Sequence, residues 1–130
     1  MFLDANIFIH TYGANDKKRE ACLKLLAKVH SGEQNAVTST LVLDEVLFVI
    51  LNARGAEIAE QAWNNMLSFP NLQILPVDEK VLLHVMKFVK AGLEPRDAFH
   101  AATMKVNNVE TICSYDTDFD KVKGLKRQQP

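Results

Sequence analysis

Cys22, Leu25, Leu26 and Val29 recur at i, i+3, i+4 and i+7, the spacing of a single helix face, and the run stops at Ser31-Gly32, with glycine where helices commonly end. Val81, Leu82, Val85, Met86 and Val89 repeat that pattern ahead of Gly92. Residues 41–51 are apolar except for Asp44 and Glu45, which predicts a helix buried nearly all round. Residues 56–68 predict a more polar helix carrying the only tryptophan, Trp63. Between these helices lie apolar pieces at 1–3, 36–38, 72–75 and 111–113. Each is too short for a helix and is flanked by turn formers, so each is expected to be a strand.

Short apolar strands alternating with helices predict an α/β fold, a three-layer α/β/α sandwich around a central, mostly parallel sheet. At 130 residues, with no repeat or Gly/Ser/Pro-rich linker, the chain is expected to form one domain over 1–130. Ligands of such sheets bind beyond the carboxyl ends of the strands. Asp4 and Asp116 stand just past two of those predicted ends.

Composition narrows the chemistry. Fifteen Lys and Arg against sixteen Asp and Glu give a net charge of −1, so no global electrostatic case exists for a nucleic-acid or membrane partner, and local distribution must decide. No apolar run approaches the roughly 18 residues of a membrane span, and an acid stands where a signal peptide would be basic, so a cytoplasmic protein is expected. Cys22 and Cys113 are expected to be reduced thiols in core segments.

Four acids are the candidate chemistry. Asp4 and Asp116 each suit a helix N-cap, yet two parallel strands both ending in Asp also suit a site. Glu45 has Leu41, Val42, Phe48 and Val49 one turn away on either side, so it lies on an otherwise apolar stripe. A carboxylate there is costly unless it is ion-paired or binds a cation. Asp97, two residues after Pro95, suits either dipole compensation in the first turn of a helix or a place in the same cluster. The alanines at 98, 101 and 102 would let that helix lie close to the sheet. Converging carboxylates repel by about 4 kcal/mol per pair at 4 Å and an effective dielectric of 20, so a cluster needs a divalent cation or raised pKa values. Hard oxygen donors without clustered His or Cys favour Mg²⁺ or Mn²⁺. Such sites serve metal-assisted phosphodiester hydrolysis.

Taken together, Asp4-Ala5-Asn6 after an N-terminal strand, Glu45 in an apolar helix, Asp97 heading a helix and Ser114-Tyr115-Asp116-Thr117-Asp118-Phe119 after a late strand resemble the PIN (PilT N-terminus-like) domain family. The resemblance spans essentially the whole chain. It implies an Mg²⁺- or Mn²⁺-dependent endoribonuclease that uses one or two ions and leaves a 5′-phosphate and a 3′-hydroxyl. By position it implies that Asp4, Glu45, Asp97 and Asp116 are the catalytic, metal-binding acids. Asn6 and Ser114 match polar residues that hydrogen-bond those acids, and Asp118 matches an additional acid used in only some members. The chain also looks like the ribonuclease toxins of toxin–antitoxin pairs, which implies an RNA substrate, a homodimer and an antitoxin protein as partner. A housekeeping RNA-processing nuclease and a catalytically silent binding module of the same fold are the alternatives.

Other signals are weaker. Asp116, Asp118 and Asp120 mimic the start of an EF-hand loop, but Lys121 and Arg127 occupy its sixth and twelfth positions, where Gly and Glu are required. His10, His30, His84 and His100 show no metal-ligand spacing and are expected to be surface or half-buried histidines, although His100, one turn beyond Asp97, could lie near the site. No Gly-x-Ser-x-Gly, Walker or Gly-x-Gly-x-x-Gly motif occurs. Lys17, Lys18, Arg19, Arg96 and the tail cations Lys121, Lys123, Lys126 and Arg127 suit a solvated surface, or phosphate contacts if they flank the acids. Phe48, Trp63 and Phe69 are expected in the core, and exposure of any of them would instead mark a dimer or antitoxin surface.

Overall fold

The computed structural model describes residues 1–130. Five strands form one sheet: β1 (Phe2–Leu3), β2 (Ala36–Ser39), β3 (Leu72–Leu75), β4 (Thr111–Cys113) and β5 (Lys126–Gln128). They lie in the order β3-β2-β1-β4-β5, and every neighbouring pair is parallel. The first strand is therefore central, with Phe2 opposite both Val37 and Ile112. A strand covered on both faces has to be apolar at successive positions, and Phe2 and Leu3 are both fully buried.

Six helices connect the strands: α1 (Ala5–Thr11), α2 (Lys17–His30), α3 (Thr40–Arg54), α4 (Ala56–Leu67), α5 (Glu79–Lys90) and α6 (Pro95–Val106). In α2 the stripe of Cys22, Leu25, Leu26 and Val29 is buried, and Gly32 just beyond the helix takes φ +80°, a conformation that strains any residue with a Cβ. Helix α6 buries Ala98, Ala101 and Ala102 completely. Those small side chains let it press on the sheet, bringing the His100 ring to 5.6 Å from that of Phe2. Both cysteines are free and buried, and burial pushes the Cys113 thiol up to about 12, which leaves it inert as a nucleophile.

Several expectations need correction. Helix α3 is not buried all round: Phe48 and Leu51 face solvent, 58% and 46% exposed, because the core takes only the face of Val42, Leu43, Val46 and Ile50. Phe48 is thus not a core residue, whereas Trp63 and Phe69 are half-buried against the core as expected. Helix α5 buries Val81 and Val85 but exposes Leu82 and Met86, two members of its predicted stripe, together with Leu83. Strand β5 escapes the hydrophobic pattern because it is a polar edge strand, Lys-Arg-Gln, held by its ladder to β4. His100 is not near the surface but almost fully buried.

Candidate active site

Because the sheet is wholly parallel, Asp4 and Ser114 leave β1 and β4 at the same edge, and α3 starts there directly from β2. Asp4 is the N-cap of α1, its Oδ1 accepting from the Ala5 N–H at 2.7 Å. Its other oxygen accepts from the Ser114 hydroxyl and the Asn6 amide, each at 2.5 Å. Asn6 also donates to Ser114 Oγ at 2.9 Å, and Ser114 Oγ in turn accepts from the Asp116 N–H at 2.9 Å. Asn6 and Ser114 therefore orient Asp4 and tie the ends of β1 and β4 together. Burial pushes the Asp4 carboxyl up, while His100 and the Ser114 and Ala5 hydrogen bonds pull it back toward ionisation.

Glu45 reaches the same region from the second turn of α3, with only 15% of its side chain exposed. Its Oε1 lies 2.7 Å from His100 Nε2, and that nitrogen lies 3.9 Å from Asp4 Oδ1. The 2.7 Å contact is close but is not aligned as a hydrogen bond. Glu45 Oε1 and both His100 ring nitrogens remain buried without a hydrogen-bond partner. His100 is the residue that the sequence reading underrates. The available signal was its place one turn beyond Asp97, in a helix whose alanines let it lie close to the sheet.

Asp97 sits in the first turn of α6, after Pro95. Burial pushes its carboxyl up to about 6, and the charges of Asp116, Asp4 and Glu45 push the same way against His100. Simple compensation of the helix dipole would have lowered that value. Asp116 caps the short 3-10 turn Thr117–Lys121, accepting from the Asp118 N–H at 2.8 Å. Asp118 pairs with Lys121 at 2.8 Å and is not among the groups that act most strongly on Asp97. Arg127 on β5 clamps Asp120 through two 2.9 Å contacts and donates to the Ser114 carbonyl at 3.1 Å, so the edge strand braces the loop carrying Asp116.

The donor set is all carboxylate, one buried carboxylate oxygen lacks a partner, and Asp97 feels three like charges. Those properties fit a small hard divalent cation. As the side chains stand, no three His, Cys, Asp or Glu groups close around one point, so a cation would draw the acids inward. The larger hollows lie elsewhere. One of about 650 Å³ between α1, α2 and α4 is lined by Phe8, Tyr12, Leu26, Met66 and Phe69. Another of about 420 Å³ opens at the opposite ends of the strands, beside Met104, Glu110 and Lys123. The acids instead form an open ledge.

Fold and acidic ledge together describe a small α/β protein of the nuclease type, and comparison with known proteins gives the family. The model described as PIN domain matches residues 1–125, and the chain belongs to that family. It is similar to Ribonuclease VapC13 of Mycobacterium tuberculosis, with 26% identity over 129 residues and 98% of each chain covered. In fold it is similar to the crystal structure of VapC20 of Mycobacterium tuberculosis, described as a sarcin–ricin-loop-cleaving toxin. That match has a TM-score of 0.80 at 20% identity and covers 99% of this chain and 98% of the other. A toxin–antitoxin complex from Klebsiella pneumoniae gives a TM-score of 0.68 at 16% identity, covering 95% and 93%.

Proposed function

We propose that this chain is a cytoplasmic endoribonuclease dependent on Mg²⁺ or Mn²⁺ and the toxin half of a toxin–antitoxin pair. Asp4, Glu45, Asp97 and Asp116 hold one or two ions. The observation that carries this reading is the convergence of four acids, Asp4 just past β1, Glu45 in α3, Asp97 in α6 and Asp116 past β4, close enough to act on one another's charge, with Glu45 Oε1 buried and without a hydrogen-bond partner. Asp118 stays a reserve ligand, released when Lys121 turns to a phosphate. Relatives named as ribonucleases and a similar fold in a toxin–antitoxin complex support the substrate class and the partner.

When bound, the cation supplies charge neutralisation at the phosphodiester and lowers the pKa of water. The chain's own part is positioning. Ser114 and Asn6 fix Asp4 so that its remaining lone pairs point out of the ledge, and His100 limits the swing of Glu45. Helices α3 and α5 expose Phe48, Leu51, Leu82, Leu83 and Met86, apolar area that a second copy of the chain would cover in a homodimer.

One observation favours a silent binding module instead: the 2.7 Å Glu45–His100 contact would be an ion pair if the imidazole were protonated, and it would occupy Glu45 without a metal. Cleavage of end-labelled single-stranded and hairpin RNA separates the two readings. The wild type is expected to cut with Mn²⁺ or Mg²⁺, to stop in EDTA and to leave 5′-phosphates. Asp4→Asn and Glu45→Gln should each lose at least about 100-fold in rate. Cutting that survives both substitutions, or folded protein that never cuts, would leave the silent module standing.

A further inference from the structure

Tyr115 lies between Ser114 and Asp116 in the chain, but its ring serves neither of them. The ring is half-buried, and Lys18 Nζ lies over it, 4.9 Å from its centroid. The His10 ring meets it edge-on, with centroids 5.1 Å apart and planes at 82°. The Tyr115 backbone N–H donates to Asn6 Oδ1 at 3.4 Å, and Asn6 holds Asp4 through its amide nitrogen. The aromatic pair is thus one residue removed from the acidic ledge on two sides.

The cations beside it are uncommitted. Lys17, Lys18 and Arg19 open α2, and none of them takes part in an ion pair. The acids of that turn are already engaged, Asp16 on the Arg19 N–H at 2.9 Å and Glu20 on Lys24 at 2.7 Å. Arg19 Nε is buried without any partner. A chain of net charge −1 with a carboxylate ledge repels a polyanion unless a cation stands close by, and Lys18, over the ring of the residue between Ser114 and Asp116, is one.

We infer that Tyr115, His10 and Lys18 form a subsite for one unpaired nucleotide of the RNA, next to the bond that is cut. The Tyr115 face stacks on the base, His10 fixes the ring edge-on, and Lys18 leaves the ring for the adjoining phosphate. Lys18 is itself exposed, so its hold on the half-buried ring is weak, and its long flexible stem makes that exchange easy. Stacking on a tyrosine face tolerates any base, so the subsite selects unpaired over paired RNA rather than a particular sequence. The inference rests on the ribonuclease reading and adds to it where the strand lies.

Anisotropy of a short fluorescein-labelled single-stranded RNA in EDTA, where hydrolysis is arrested, tests the subsite separately from cleavage. Tyr115→Ala should weaken binding roughly tenfold, and Tyr115→Phe, which keeps the ring, should recover most of the loss. Lys18→Gln, a change at an exposed position that leaves folding intact, should weaken binding and lower the slope of log Kd against log salt by roughly 0.7. With Mn²⁺, Lys18→Gln should raise KM while kcat stays within about twofold. Binding unchanged in Lys18→Gln and Tyr115→Ala, in a wild type that binds and cuts RNA, overturns the subsite and leaves the nuclease. A wild type that binds with these dependences but never cuts ends the nuclease reading and with it the subsite's place beside a scissile bond, and leaves only an RNA-binding surface. A wild type that binds no RNA overturns both.

Discussion

At Asp97, burial and the charges of Asp116, Asp4 and Glu45 all favour the neutral acid. Its carboxyl titrates near 6 in the folded protein against an ordinary 3.8, so between those values the folded state holds a proton that the unfolded state has lost. That difference stabilises the fold below about pH 4 and is lost as pH rises through 6. Two pH units are worth about 2.7 kcal/mol at full weight, and screening at this half-exposed position leaves about 1 kcal/mol. Metal-free Asp97→Asn should therefore be more stable than the wild type by about that amount at pH 7.5, and the gap should close near pH 4. Denaturant melts in EDTA at the two pH values check this, and equal stability at pH 7.5 would speak against crowding of the acids. Residue by residue, the candidate acids stood out by position: Asp4 and Asp116 follow apolar strands, where the structure shows both as caps, and Glu45 interrupts an apolar stripe. For His100 the spacing gave nearness to Asp97 but not its burial or its contact with Glu45, which depends on how α6 is rotated against α3.

The elements differ in how much of their surface the chain covers. The buried stripe of α2 could be read directly from its spacing, and α6 from its alanines. For α3 and α5 the pattern gave the helices but not their environment, since an apolar residue says nothing of whether the core or a partner covers it. Leu83 is 83% exposed, and Leu82 and Met86 beside it are also more than half exposed. A charged residue there should split the proposed homodimer while leaving the fold intact. Leu83→Glu is expected to elute at the monomer mass in light-scattering chromatography, with an unchanged circular dichroism spectrum and melting point, whereas the wild type elutes as a dimer. An unchanged dimer in Leu83→Glu would move the interface off α5. Strand β5 was illegible because a polar edge strand carries no alternation, and Arg127, read as a surface cation, is instead its anchor to Asp120 and the Ser114 carbonyl.

At the scale of the molecule, parallel strand order is what brings acids distant in sequence to one end of the sheet. The strand–helix alternation predicted that arrangement, and the sheet confirms it in all four strand pairs. Sequence spacing could not show that the ledge stays open as the side chains stand, with no three groups closed around a point. The account therefore requires a cation to finish the assembly. The most direct measurement is Mn²⁺ uptake by the full chain, followed through loss of the free-ion paramagnetic resonance signal. Wild type should take up one or two ions saturably, Mg²⁺ should displace them, and Asp4→Asn and Asp116→Asn should each weaken uptake by about tenfold or more. Folded wild-type protein that takes up no Mn²⁺, or variants that take it up equally well, would contradict the metal site at its root.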